Sequence, residues 1–317
     1  MSEREILLIA PRGFCAGVER AVEILEKALE LNDGKPLYVN HEIVHNNFVV
    51  GQFKAKGVIF VDQISEVPEN STIVFSAHGV SPKVWEEARE RNLEVIDATC
   101  PLVTKVHLEA KRYAKENYTI ALIGHKNHVE AKGTFGEAPE QTVIIEDIND
   151  IDLLKDKNTE RVAYLTQTTL SIMDTKEIIN ELERRYPHIE SPASSDICYA
   201  TTNRQQAVQK VASSVDLMIV IGSNNSSNSN RLKELGEALG TKAVLTDNAE
   251  TFDKSLISNN IQKIGITAGA SAPDQLVQDM VTMLKTEFSF SKLTEVQTTE
   301  ENVVFKLPKK LREAASL

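Results

Sequence analysis

Three cysteines, Cys15, Cys100 and Cys198, are the only thiols in this 317-residue chain, and each stands where an apolar run gives way to a helical pattern. The clearest case is Val95-Ile96-Asp97-Ala98-Thr99-Cys100-Pro101, which reads as a short strand, a polar turn and a helix opening at Pro101. A thiol at a helix N-terminus meets unpaired backbone N–H groups and the positive end of the helix dipole. Both favour the thiolate, the form that attacks electrophiles and binds metals. An odd count of cysteines suits catalysis or metal binding better than a disulfide framework.

A second set of polar residues lies on short segments after strands. His45, His128 and Ser226 follow their cysteines by 30, 28 and 28 residues; His78, Thr168 and Ser271 follow by 63, 68 and 73. His45, His78 and His128 fall on tips that should surround one point, and Ser226, Ser227, Asn228 and Ser271 add hydroxyl, amide and backbone donors just before helices, which suit phosphate oxygens. Ser and Asn also cap helices routinely, so the plainer reading stands beside it. Glu130 is the carboxylate close beside a tip histidine, and in a donor-lined site it is the natural proton source; a solvated surface glutamate is the alternative. His41, His107, His125 and His188 are read as surface or satisfied core residues.

These residues require a repeated scaffold. After each cysteine come a helix, a strand, a first polar tip, a helix, a strand, and a further strand with a second tip. The strands are expected at 6–10, 37–39, 58–61, 72–76, 119–123, 143–145, 161–165, 217–221, 243–245 and 263–267. This order predicts an α/β fold of three pseudo-repeated units with mostly parallel sheets, whose ligands bind beyond the carboxyl ends of the strands. The boundaries are placed at 1–96, 97–193 and 194–285, with a tail at 286–317. Where each unit begins is open, because the strand before each cysteine can belong to the preceding unit, and Ile6–Ala10 would then close onto the third. Val303-Val304-Phe305 is a candidate closing strand.

Three such units about a pseudo-threefold axis would bring the cysteines together and let them hold three corners of an iron–sulfur cubane. Three buried structural cysteines, or a zinc site, remain alternatives at this level. The formal net charge of −11 argues against non-specific nucleic-acid binding. No apolar run reaches the ~18 residues of a membrane span and no signal peptide opens the chain, so a cytoplasmic protein is expected. Neither a dinucleotide fingerprint nor a phosphate loop is present, so a reductase built this way would take its electrons from another protein.

The segments Pro11-Arg12-Gly13-Phe14-Cys15-Ala16-Gly17, Phe75-Ser76-Ala77-His78-Gly79-Val80, Asp97-Ala98-Thr99-Cys100-Pro101-Leu102-Val103, Thr166-Gln167-Thr168-Thr169-Leu170 and Ser226-Ser227-Asn228-Ser229-Asn230-Arg231 resemble the 4-hydroxy-3-methylbut-2-enyl diphosphate reductases, terminal enzymes of the non-mevalonate isoprenoid pathway. The resemblance runs from about Ile6 to Leu284. It implies a trefoil of three α/β domains around an oxygen-sensitive [4Fe–4S] cluster on Cys15, Cys100 and Cys198, whose open iron binds the allylic hydroxyl. It implies diphosphate contacts from His45, His78, His128, Ser226, Ser227, Asn228 and Ser271, protons from Glu130, and a hydroxyl-holding, proton-relaying Thr168. Electrons would come from a ferredoxin- or flavodoxin-type partner, and the products would be isopentenyl and dimethylallyl diphosphates. The family's His-Pro-Glu-Val reads His128-Val129-Glu130-Ala131 here, so no proline fixes the backbone before Glu130. A cluster-bearing sensor and a zinc hydrolase are the competing functions.

Overall fold

The structure is a computed structural model that describes residues 3–314. From the N-terminus the elements are β1 (Glu5–Ala10), α1 (Ala16–Leu31), β2 (Leu37–Asn40), α2 (Asn47–Ala55), β3 (Ile59–Val61), β4 (Thr72–Phe75), α3 (Pro82–Glu90) and β5 (Glu94–Asp97). After Cys100 come α4 (Pro101–Lys115), β6 (Thr119–Ile123), α5 (Val129–Phe135), β7 (Thr142–Ile145), β8 (Val162–Thr166) and α6 (Ile172–Arg185). After Cys198 follow α7 (Tyr199–Val211), β9 (Leu217–Ile221), α8 (Ser227–Ala238), β10 (Ala243–Thr246), β11 (Lys263–Ala268), α9 (Asp274–Phe288), β12 (Lys292–Gln297) and α10 (Lys309–Ala314). The predicted strands fall within a residue or so of these bounds, because each is a short apolar run closed by a polar turn.

The strands form three sheets, ordered β3-β2-β4-β5, β7-β6-β8 and β10-β9-β11-β1-β12, and every pairing is parallel. The three share one order. In the middle sheet a single parallel bridge, Ala163 to Glu190, stands where the others have a fourth strand. Pairing answers the open question of where the units begin: β5, before Cys100, joins the preceding sheet, β1, before Cys15, pairs with β11 of the third, and before Cys198 only the bridge at Glu190 takes that place.

Two compact units contain these sheets. One, Met1–Ala16, His45–Gln52 and Tyr199–Val304, holds the five-stranded sheet; the other, Gly17–Val44, Phe53–Cys198 and Phe305–Leu317, holds the other two. In the first, alternate residues of each strand go to opposite faces, as the period of two demands. Ile6, Leu8, Ile219, Ile264 and Ile266 pack with Leu276, Val277 and Met280 of α9. Leu7, Ile9, Met218 and Val220 pack with Ala207, Val208 and Val211 of α7. A sheet covered on both faces explains why its strands read as unbroken apolar runs.

The expectation for the tail is corrected. Val303-Val304-Phe305 lies in no strand and Val304 is 87% exposed. The added strand is β12, on the outer side of β1. Its side chains are mostly exposed, so it carries no apolar signature; backbone bonds and the contacts of Glu5 with Lys292 and Thr294 hold it. Among the described residues no helix is long and apolar enough to cross a membrane.

Candidate active site

The repeat delivers each cysteine in the same way. The backbone N–H of Cys15 donates to Ala270 O (3.2 Å), that of Cys100 to Ala77 O (2.9 Å), and that of Cys198 to Thr168 O (3.0 Å). Each acceptor lies just beyond the strand next to the cysteine. The first tips share a register as well. His41, Gly124 and Gly222 donate to Val61, Ile145 and Thr246, and four residues later stand His45, His128 and Ser226. At the second tips the acceptors equate Thr169, rather than Thr168, with His78 and Ser271; loops of unequal length had blurred that offset.

Within the second unit, a chain of contacts joins two cysteines. Cys100 caps α4, with Pro101 at its first position, where a missing N–H costs nothing. Ala77, which holds Cys100, precedes His78, whose Nδ1 lies 3.1 Å from Ser76 Oγ. The rings of His78 and His128 meet edge to face at 6.0 Å. His128 caps α5 and its Nδ1 accepts the Glu130 N–H (3.2 Å), which in a neutral ring puts the proton on Nε2. Glu130 is 4% exposed. Its Oε1 accepts the Thr168 N–H (2.6 Å) and its Oε2 the Thr168 hydroxyl (3.1 Å). Thr168 then holds Cys198.

Val129 is compatible with its place in the helix. It is the first residue of α5, where its N–H would be unpaired within the helix anyway. The Thr168 bonds, rather than a fixed φ, place Glu130.

The same unit shows what sequence reading missed. A Cβ on Gly133 would lie 3.3 Å from Gly79 O, and one on Gly79, whose φ is +76°, 3.2 Å from the His107 ring. Two glycines thus let the His78 turn and the Glu130 helix approach. His107 beneath them is a buried residue, as expected, with Nδ1 2.7 Å from Glu137. Its structural role carried no motif. His41 and His125 sit beside acidic residues and His188 is exposed, outside these contacts. Burial pushes the Asp196 carboxyl up, against the pull of the Thr166 N–H and Lys105. Arg20 donates to Thr99 O (2.9 Å); burial lowers its pKa while Asp97 and Cys100 draw it back.

The remaining residues, His45, Ser226, Ser227, Asn228 and Ser271, lie in the first unit with Cys15. Ala270, which holds Cys15, precedes Ser271, whose hydroxyl donates to His45 O (2.8 Å). Ser226 caps α8 and accepts the Ser229 N–H. Gly222 and Gly269 cradle Ser229: a Cβ on either would fall 2.2 or 2.0 Å from its Oγ. Only glycine lets the start of α8 settle between the two strand ends. Ser223 Oγ accepts the Asn47 N–H (2.9 Å) and donates to Asp247, fixing the start of α2 just after His45. The signal for this anchor is an acidic residue after the second strand of every repeat: Asp62, Glu146 and Asp247. The Tyr199 hydroxyl, which accepts the Ala16 N–H, is pushed up to about 12 by burial with the help of Cys15.

Two observations bear on absent groups. Both amide atoms of Asn228 are buried without a hydrogen-bond partner, which an anionic ligand would relieve at Nδ2. The three cysteines are half-buried and none is in a disulfide, which argues against three inert core thiols. Among the described residues no three His, Cys, Asp or Glu side chains already gather around one single-ion position. A cubane takes one thiolate per iron, so its ligands stand apart, and one cysteine per repeat fits that donor set.

Comparison with known proteins agrees with this layout. The LytB protein family model matches residues 6–285, through all three repeats. A 4-hydroxy-3-methylbut-2-enyl diphosphate reductase of Methylococcus capsulatus is 52% identical over 311 residues, covering 97% of this chain and 98% of that protein. The reductase of the same name from Rhodopirellula baltica is 51% identical over 316 residues, covering 100% and 98%. Among solved structures, the E-1-hydroxy-2-methyl-but-2-enyl-4-diphosphate reductase of Plasmodium falciparum superposes with a TM-score of 0.95 at 42% identity, covering 99% of this chain and 98% of that one. With its repeats, its strand order and half of its residues shared along the full length, the chain belongs to the LytB family.

Proposed function

We propose that this chain reduces (E)-4-hydroxy-3-methylbut-2-enyl diphosphate to isopentenyl and dimethylallyl diphosphates, the oxidoreductase activity for which its relatives are named. The observation that carries the reading is the buried Glu130 carboxylate bonded to the hydroxyl and amide of Thr168. In this reading Cys15, Cys100 and Cys198, one from each repeat, would hold one [4Fe–4S] cluster per chain. Such a cluster would supply Lewis acidity toward the allylic hydroxyl and a path for electrons.

The chain's own residues do the rest. In this reading His45, His78, His128, Ser226, Ser227, Asn228 and Ser271 bind the diphosphate; the unpaired Nδ2 of Asn228 supports its part in this role. Breaking the C–O bond takes two electrons and two protons. One proton leaves with the hydroxyl oxygen as water, and the other ends on an allylic carbon, whose position decides between the two products. Glu130 supplies protons; Thr168 holds the substrate hydroxyl and relays them; His128, bonded to the Glu130 amide, orients the donor helix. A ferredoxin- or flavodoxin-type protein delivers the electrons, in the cytoplasm.

Anaerobic purification followed by turnover with a chemical reductant tests this. The expected result is about four irons per chain and formation of both diphosphates. Iron-replete, folded protein that fails to consume the substrate, or iron-free protein that turns it over, overturns the proposal.

A further inference from the structure

We infer that the Lys105–Asp196 ion pair is a positioning device that fixes Cys198 relative to Cys100, standing in for the strand that the middle sheet lacks. The inference rests on the reading of both cysteines as cluster ligands.

The need for such a device follows from topology. Cys100 comes three residues after β5 and Cys15 five after β1, so a sheet strand aims each of them. Additional bonds tighten both approaches. Asp97 Oδ1 accepts the amide and hydroxyl of Thr99, and the Arg204 guanidinium donates to Gly13 O (2.7 Å). Before Cys198 the only sheet pairing is the bridge at Glu190, and residues 191–198 have no regular structure; at its start the segment is held by the Tyr113 hydroxyl of α4, which donates to Ser191 O (2.8 Å), and near its end Ile197 packs on the core, which leaves residues 194–196 to be fixed. A segment of that length without an anchor would open locally at little cost.

The ion pair is that anchor. Lys105 lies in the second turn of α4, the helix that Cys100 caps. Its Nζ donates to Ser194 O (2.8 Å), Ser195 O (3.2 Å) and Asp196 Oδ1 (3.0 Å), so all three ammonium hydrogens go to the segment leading to Cys198. The Asp196 side chain is 0% exposed, and its other oxygen accepts the Thr166 N–H (3.0 Å) at the end of β8. One carboxylate therefore ties the loop both to the helix of Cys100 and to the strand that carries Thr168, which holds the Cys198 amide. Glu109, one turn further along α4 and 3.9 Å from Lys105, is the other charge facing the pair. Burying a carboxylate is unfavourable and a buried pair is weak evidence for net stability, so the role inferred for this one rests on the three bonds by which it ties the loop to α4.

Full-length protein isolated anaerobically is treated with iodoacetamide and an iron chelator, and alkylation of each cysteine is followed by mass spectrometry. In Lys105→Met, Cys198 should be alkylated roughly tenfold faster than in the parent, as a local opening equilibrium shifts. Cys15 and Cys100 should change less than about twofold. Lys105→Arg, which keeps the charge, should return Cys198 to near the parent rate. If the unpaired Asp196 prevents Lys105→Met from folding, Lys105→Met with Asp196→Asn removes both charges and is compared in the same way. Equal acceleration at all three cysteines, or none at Cys198, overturns the inference. The readout involves no substrate, so it is separate from failure of the proposed reaction.

Discussion

Gly222→Ala puts the proposed anion site under a defined strain. The new Cβ would lie 2.2 Å from Ser229 Oγ and 2.7 Å from Ser229 Cβ. Rotating the hydroxyl relieves the first contact and breaks its 3.0 Å bond to Ser226 Oγ. The second contact persists, because carbon atoms settle at about 3.5–4.0 Å. Closing that gap of about 1 Å requires the first turn of α8 to move, and Ser229 is fully buried with no free space to enter. Overpacking of this kind costs about 1–3 kcal/mol. The shift carries Asn228 and Ser227 with it, and misplacement on the order of 1 Å is worth up to ~10²-fold in a positioned site. KM for the diphosphate substrate should therefore rise at least about tenfold, with a lowered melting midpoint and full iron content. Thermal melts and anaerobic steady-state kinetics measure both. A variant that melts and binds like the parent refutes the cradle argument.

Gly51→Ala carries the opposite sign: the site is in the interior of α2 with nothing within 4 Å of the new Cβ, so chemical denaturation should show a gain of about 0.5–1 kcal/mol. Thr168→Val keeps the shape and the amide bond to Glu130 but removes the hydroxyl bond to Oε2; at about 1.5–3 kcal/mol for a bond to a charged group, turnover should fall about 10- to 100-fold at unchanged iron content, and wild-type turnover would remove Thr168 from the relay. Hydrogen bonds from Lys292 and Thr294, with Lys263, hold the Glu5 carboxyl down to about 2 from 4.5. Because the folded pKa is depressed, this stabilisation is complete above about 4.5 and is lost as pH falls toward 2. Glu5→Gln should thus flatten the acid limb of stability against pH, and an unchanged limb would contradict the assignment.

The sequence by itself determined the repeat, the strands and the chemical roles offered by its residues. Apolar runs of three to six residues ending in polar turns mark buried parallel strands. Recurrence of a cysteine before a helix, with His or Ser after the next strand, marked Cys15, Cys100, Cys198, His45, His128 and Ser226 without reference to any contact. Local chemistry sufficed because strand ends and helix starts are written in neighbouring residues.

Only the tertiary structure decided how those groups are held. That Glu130 is buried against Thr168, 38 residues away, follows from packing between a helix and a strand end. That β1 completes the third sheet is a pairing across the whole chain. The exposed strand β12 lacks an apolar pattern because its edge position does not demand one. Lys105 and Asp196, 91 residues apart, look like two solvated charges in the sequence; burial and a missing strand make them a pair. Burial, pairing and close approach are properties of residues brought together by the fold, and no spacing along the chain encodes them.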